Sequence, residues 1–418
     1  MTRGCSFSLL FLGLVIAVTS GCSAPPPPEQ SALATFEVAA GDTDRGQTTV
    51  QVAELPNPLE GPVHLLEVTH GQAIPTPCQL DPLDSARLYF VVIGSTMQGT
   101  TRRYSLLAGP GQVRALPETK DDGKSLSLLL RGKEVLSYNY RPVAPPDPTI
   151  DPLQTRDAYI HPVKTPGGRT VTDDFHPDHL HQRGIFMAWT ETRFKGRTPD
   201  FWNLGKGTGT VRFKEFRNVF QGPVFAGFQA VQEHVDLSAP QGEEVVLTEL
   251  WDVRLWRLGL GEGYFVFDLD SVQQCATEAP LILPEYLYGG LGVRGARSWT
   301  PDVLRVLTSA GKDRKDGDGT RADWCQFEGP ADGHMAGIIA FGSPRNERSP
   351  QPLRIHPEMP YFSFAPVRLG EMRIEPGQPY HSRFRFLVYD GHMKEDAVSG
   401  HWNDFRDPMK VTILSGDQ

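Results

Sequence analysis

Apolar and polar positions alternate in short runs along most of this chain. The runs Thr48–Val52, Val63–Val68, Arg87–Val92, Ser125–Leu130 and Glu134–Tyr140 come first. Thr210–Phe216, Val245–Trp256, Tyr264–Asp270, Met335–Phe341 and Ser382–Tyr389 follow. A period of two places one set of side chains on one face, which is the signature of half-buried strands. Turn formers separate the runs, among them Gly61-Pro62, Gly109-Pro110-Gly111, Asp121-Asp122-Gly123 and Gly261-Glu262-Gly263. With 42 Gly and 36 Pro, few windows remain in which a helix can run uninterrupted. The pattern predicts an all-β chain, a large antiparallel sandwich with few short helices. Lys394–Arg406 is the one late segment that reads as a short helix.

The start of the chain reads differently. Residues 1–21 combine Arg3 with the apolar stretch Phe7–Val18, too short to span a bilayer, and read as a signal peptide. Thr19-Ser20-Gly21-Cys22 then resembles a bacterial lipoprotein box, with Thr19 where Leu is usual. Cys22 is therefore the expected lipidation site, and 22–31, with Pro25 to Pro28, a stiff extended tether. The expected location is the bacterial cell envelope, on the periplasmic or surface side, anchored through Cys22. An N-terminal β part over 32–145 and a main β-sandwich part over 146–418 complete the division. The Pro-rich stretch 142–152 lies between them and is read as a crossover inside one continuous sandwich.

Charge excludes one class of partner. The net charge of -9 with acids and bases interspersed leaves no basic stripe for nucleic acid. Cys78, Cys275 and Cys325 have no CxxC spacing, so no thiolate zinc site is indicated. Cys275 and Cys325 are a conceivable pair, but buried free thiols are the plainer reading.

Candidate chemistry concentrates between Arg156 and Trp202, where four of the 12 histidines fall. Pro and Gly punctuate the stretch, so it reads as loop, where binding and catalytic groups gather. Asp178-His179-Leu180-His181-Gln182-Arg183 is its centre. His179 and His181 titrate near neutrality and suit proton transfer. Asp178 is placed to orient an imidazole, and Arg183 offers a fork of donors. Arg156 and His161 sit on a segment that feeds the same place. Asp200 and Trp202 supply an acid and an aromatic wall of the kind that sugars meet. Far along the chain, Glu285 and Arg294 flank the Gly-rich stretch Tyr288-Gly289-Gly290-Leu291-Gly292-Val293. Glu285 is the expected complement to the histidines, and Arg294 a further substrate ligand. Asp313, Asp316 and Asp318 miss the calcium-loop register and read as a solvated turn. No metal site is assigned, and the cofactor is left open.

Residues 155–189, the Asp178–Gly184 string within them, Tyr288–Arg294, Arg321–Trp324 and Leu387–Gly391 resemble landmarks of a bacterial family known as PmoA-like. That resemblance implies a galactose-mutarotase-like β supersandwich and a carbohydrate or glycoside ligand. It leaves three readings: acid–base chemistry on a sugar, non-catalytic glycan binding, or the metal-dependent oxygenase of the family's name.

Overall fold

The computed structural model describes Met1 and residues 31–69, 72–111, 113 and 116–414. The leader, Cys22 and nearly all of the tether lie outside the described residues. The body over Ala32–Gln418 forms one compact unit. It is mostly β, built from antiparallel sheets, with one α-helix over Glu395–Arg406.

Two eight-stranded sheets make the main body. One carries the longest strands, Gly209–Phe220, Phe225–Asp236, Glu244–Trp256, Tyr264–Cys275 and Tyr380–Asp390, side by side. The other orders Leu353–Ile355, Tyr361–Phe364, Gly290–Arg294, Ile185–Ala188 and Tyr159–Val163, then runs on through Lys133–Asn139 and Ser125–Leu130 to Pro117–Asp121. The alternation read in the sequence has its physical cause here. In Glu244–Trp256, Leu247, Trp251, Val253 and Leu255 are buried, and they join Tyr138, Phe186, Val293 and Phe362 of the opposite sheet in one core. Burying one such side chain is worth about 1.5–3 kcal/mol, so the periodic face decides the register.

The stretch 142–152 connects Lys133–Asn139 to Tyr159–Val163, which pair directly within the second sheet. Residues 117–139 therefore share a sheet with residues 159–188. Ahead of them, a smaller pair of sheets spans 34–108, with a core of Phe36, Leu65, Phe90, Tyr104 and Leu106. The last strand, Lys410–Leu414, returns to pair with Ala34–Ala39. Gln79 Oε1 accepts from the amides of Val224 and Phe225 at 3.0 and 3.1 Å, tying this part to the long-strand sheet. Cys78, Cys275 and Cys325 are free thiols.

Candidate functional site

The segment from Lys164 to Gly184 leaves one strand and returns to its neighbour in the same sheet, and apart from the isolated bridges Lys164–Thr170 and Thr172–Gly295 it lies outside the sheet ladders. Arginines hold it instead. Arg297 donates through Nε to both oxygens of Asp173, at 3.2 and 3.1 Å, and through Nη2 to the Asp174 carbonyl at 2.7 Å. Arg294, fully buried, donates through Nη2 to both oxygens of Asp178, at 3.0 and 3.2 Å, and through Nη1 to Gln182 Oε1 at 3.0 Å. A carboxylate held through both oxygens by one nitrogen of a buried guanidinium is a stiff anchor. Gly184 closes the loop with φ of +47°, and a Cβ there would collide with the Ile160 carbonyl oxygen. No other residue fits that approach.

So held, the loop presents His179, His181 and Gln182 to a cavity of about 200 Å³. Tyr288 and Asn203 line it from two further segments, and Arg354, His356 and Tyr361 from the paired strands Leu353–Ile355 and Tyr361–Phe364 with their connecting turn. The ring centres of His179 and His181 stand 5.5 Å apart, and those of His179 and His356 5.9 Å. Trp202 backs the wall, its ring centre 5.3 Å from Tyr288 and 6.1 Å from Tyr361. Gly292 makes room for it, since a Cβ there would lie 3.0 Å from the Trp202 ring.

The three imidazoles are neutral at pH 7. Burial, with the nearby His179 and Arg156, pushes His181 down to about 4. Burial, with Arg354 and His179, takes His356 down to about 4 as well. His179 is lowered by burial against the opposing pull of Asp178. The amides of Glu358 and Met359 both donate to His356 Nδ1, at 3.1 Å, so its proton sits on Nε2. Tyr361 is driven well above the ordinary phenol range by burial and stays a donor.

Other residues singled out in the sequence lie elsewhere. Glu285 is exposed and does not line the cavity, so the carboxylate expected to complement the histidines is not at the site. Its neighbour three residues on, Tyr288, is there instead. Arg183 is sealed in the core with its guanidinium 3.3 Å from the Phe175 ring centre, 3.2 Å from Asp174 and hydrogen-bonded to the Gln154 carbonyl. It anchors the loop rather than facing a ligand. His161 Nδ1 is spent on Thr172 Oγ1 at 2.9 Å. Asp200 is buried; its Oδ1 accepts from the amides of Trp202 and Asn203, and its Oδ2 accepts from Asn203 Nδ2 at 2.9 Å and pairs with Lys206. Asp200 thus positions Asn203. Trp202 is wholly buried. Arg294 acts from behind, through Asp178 and Gln182. Arg156 is buried against Phe186, 4.9 Å from its ring centre.

His356, Arg354, Tyr361 and Asn203 escaped the sequence reading. His356 stands alone in Leu353-Arg354-Ile355-His356-Pro357, with no titratable cluster around it. Its only signal is a His-Pro step like His161-Pro162 and His176-Pro177. Among the described residues, no group of three or more His, Cys, Asp or Glu is disposed to hold a metal ion. Asp318, read as part of a solvated turn, instead pairs with both Arg354 and Arg368, at 3.1 and 2.9 Å.

No curated protein matches the chain. Among solved structures, it is similar to an alpha-mannosidase from Enterococcus faecalis V583, with 8% sequence identity and a TM-score of 0.39. That match covers 91% of this chain and 46% of the other, so the chain spans under half of its length. A family description matches residues 125–403, which is more than half of the chain and includes every residue lining the cavity. The chain therefore belongs to that family, described as a family of unknown function (DUF6807).

Proposed function

We propose that the cavity binds one sugar residue and that its neutral histidines move a proton on it. The observation that carries this is the convergence of His179, His181 and His356, from segments some 175 positions apart, on a cavity walled by Tyr288 and Tyr361. At about 200 Å³ it is below the roughly 300–1,000 Å³ of drug-sized ligand sites, which suits a single ring with its hydroxyls. Tyrosine faces give an apolar wall. Gln182, Asn203 and the imidazoles give directed hydrogen bonds. A neutral imidazole can take a proton from a hydroxyl or from a carbon beside a carbonyl and return it to the other face or atom. His181 is the acceptor we assign, His356 Nε2–H a donor to an oxygen, and Tyr361 a second donor.

One feature favours a second reading, glycan binding without turnover: among the described residues no carboxylate lines the cavity. Incubation with a panel of mono- and disaccharides, followed by proton NMR for conversion or solvent-deuterium incorporation, separates the two. Conversion that is lost in the double variant His179→Ala, His181→Ala supports the enzyme. Binding with no conversion supports the module. Failure of every sugar to bind removes both. The oxygenase reading rests on the PmoA-like resemblance of the Asp178–Gly184 string and requires a metal to co-purify.

The location belongs to the same proposal. Gly21-Cys22 after a short apolar stretch supports an envelope lipoprotein.

A further inference from the structure

We propose that the sugar held in this pocket is an acid, bound through its carboxylate by Arg354. The inference rests on the sugar-binding reading and narrows its substrate class.

Among the described residues, the lining carries one guanidinium and no carboxylate. Arg354 donates through Nη1 to the Ile355 carbonyl at 3.5 Å, and the same nitrogen lies 3.1 Å from Asp318. Among the described residues Nε and Nη2 make no hydrogen bond, and two parallel N–H groups match the two oxygens of a carboxylate. Three carboxylates around the wall are already paired. Asp178 is held by the buried Arg294. Asp200 is held by Lys206 and three hydrogen bonds from Asn203 and Trp202. Asp318 is shared between two arginines, so that cluster retains a positive charge. Arg156, near enough to disfavour the protonated His181, adds a second cation, since none of its three side-chain nitrogens has a hydrogen-bond partner among the described residues. The local field therefore favours an anion.

Burial is the main cause that lowers the three histidines, and neighbouring charges add to it. Arg354 and Arg294 face His356, with Glu358 opposing them. Arg156 and Arg294 face His181, with Asp200 opposing. Arg294 and His176 face His179, with Asp178 opposing. An anion seated among them cancels part of that repulsion and favours proton binding, so the acid should bind with proton uptake. Carboxylate suits the site better than phosphate. A phosphate group calls for a nest of backbone amides or a helix N-terminus, and the lining here is side chains.

The test is calorimetric titration of the full chain at pH 6.0 with D-galacturonate and D-glucuronate, against D-galactose, D-glucose and their 6-phosphates. The acids should bind about tenfold or more tighter than the neutral sugars, the worth of one charge-assisted bond. Repeating the titration in buffers of different ionisation enthalpy should show net proton uptake for the acids only. Arg354→Gln should bring the acids to within about twofold of the neutral sugars measured on the same variant; Arg354→Lys should keep part of the preference. Asp318 keeps Arg368 in either variant, and an unchanged circular dichroism spectrum confirms the fold. Equal affinity for acids and neutral sugars overturns the inference and leaves the sugar-binding reading standing. Tighter binding of the 6-phosphates overturns the carboxylate assignment. No binding of any sugar overturns both.

Discussion

Replacing Arg156 by Met should make the protein more stable. Arg156 is 2% exposed, and Nε, Nη1 and Nη2 all lack a hydrogen-bond partner in the protein. The acids that it senses are occupied elsewhere. Asp157 accepts from the Phe213 amide at 2.8 Å. Glu249 accepts from Trp251 Nε1 and Ser271 Oγ and lies 2.7 Å from His234 Nε2. Leaving three buried donors unpaired costs about 1–3 kcal/mol each. The Phe186 ring returns up to about 2 kcal/mol as a cation–π contact. Burial and the neighbouring Arg183 push the guanidinium down from 12.5 to about 10, which corresponds to roughly 3 kcal/mol against the charged form. The first route leaves a net cost of about 1–7 kcal/mol, a range that contains the second. Met keeps most of the stem's volume and carries no donor, so Arg156→Met should raise the unfolding free energy by about 1–3 kcal/mol. The assay is urea denaturation followed by tryptophan fluorescence, with a higher midpoint at unchanged slope as the expected outcome. A loss of about 3–5 kcal/mol, as when one partner of a satisfied buried pair is removed, would refute the reasoning. A retained cation that weakens the fold is expected where function needs it.

Acid should destabilise the fold through the same histidines. His181 and His356 titrate near 4 when folded and about 6.5 when unfolded, so between those values the unfolded chain binds more protons. Stability is full above pH 6.5 and falls as pH drops towards 4, by up to about 3 kcal/mol for His181 and less for the more exposed His356. Thermal midpoints at pH 7.5 and 4.5 check this; equal midpoints contradict it. Gly184→Ala should cost about 2–4 kcal/mol, since it combines positive φ with a collision against Ile160, and a variant as stable as the parent would remove the argument for a fixed loop end. Cys22→Ala should move the protein from the membrane to the soluble fraction of a bacterial host; identical fractionation of variant and parent speaks against lipidation.

The fold was legible because burial imposes period two wherever a strand has one wet face, as in Thr49–Glu54 and Glu244–Trp256. The loop that carries the histidines was legible from its titratable groups and its breakers. The partners across the pocket were not. His356 and Tyr361 arrive through strand pairing between Tyr361–Phe364 and Gly290–Arg294, and pairing between distant strands leaves no local mark. The arginines misled for a related reason. Arg183 and Arg294 carry the same fork of donors whether they bind a ligand or a loop, and only burial distinguishes the two. Glu285 was weighed as a base because it flanks a Gly-rich strand. Gly292 of that strand instead admits the Phe186 and Trp202 rings, and Glu285 faces solvent.

The most direct test is a crystal structure soaked with whichever sugar binds most tightly in calorimetry. Ligand density among His179, His181, His356 and Tyr288, with an oxygen within hydrogen-bond distance of His181, is the predicted result. Density for that sugar at another place on the protein, with this cavity left without it, would contradict the central claim.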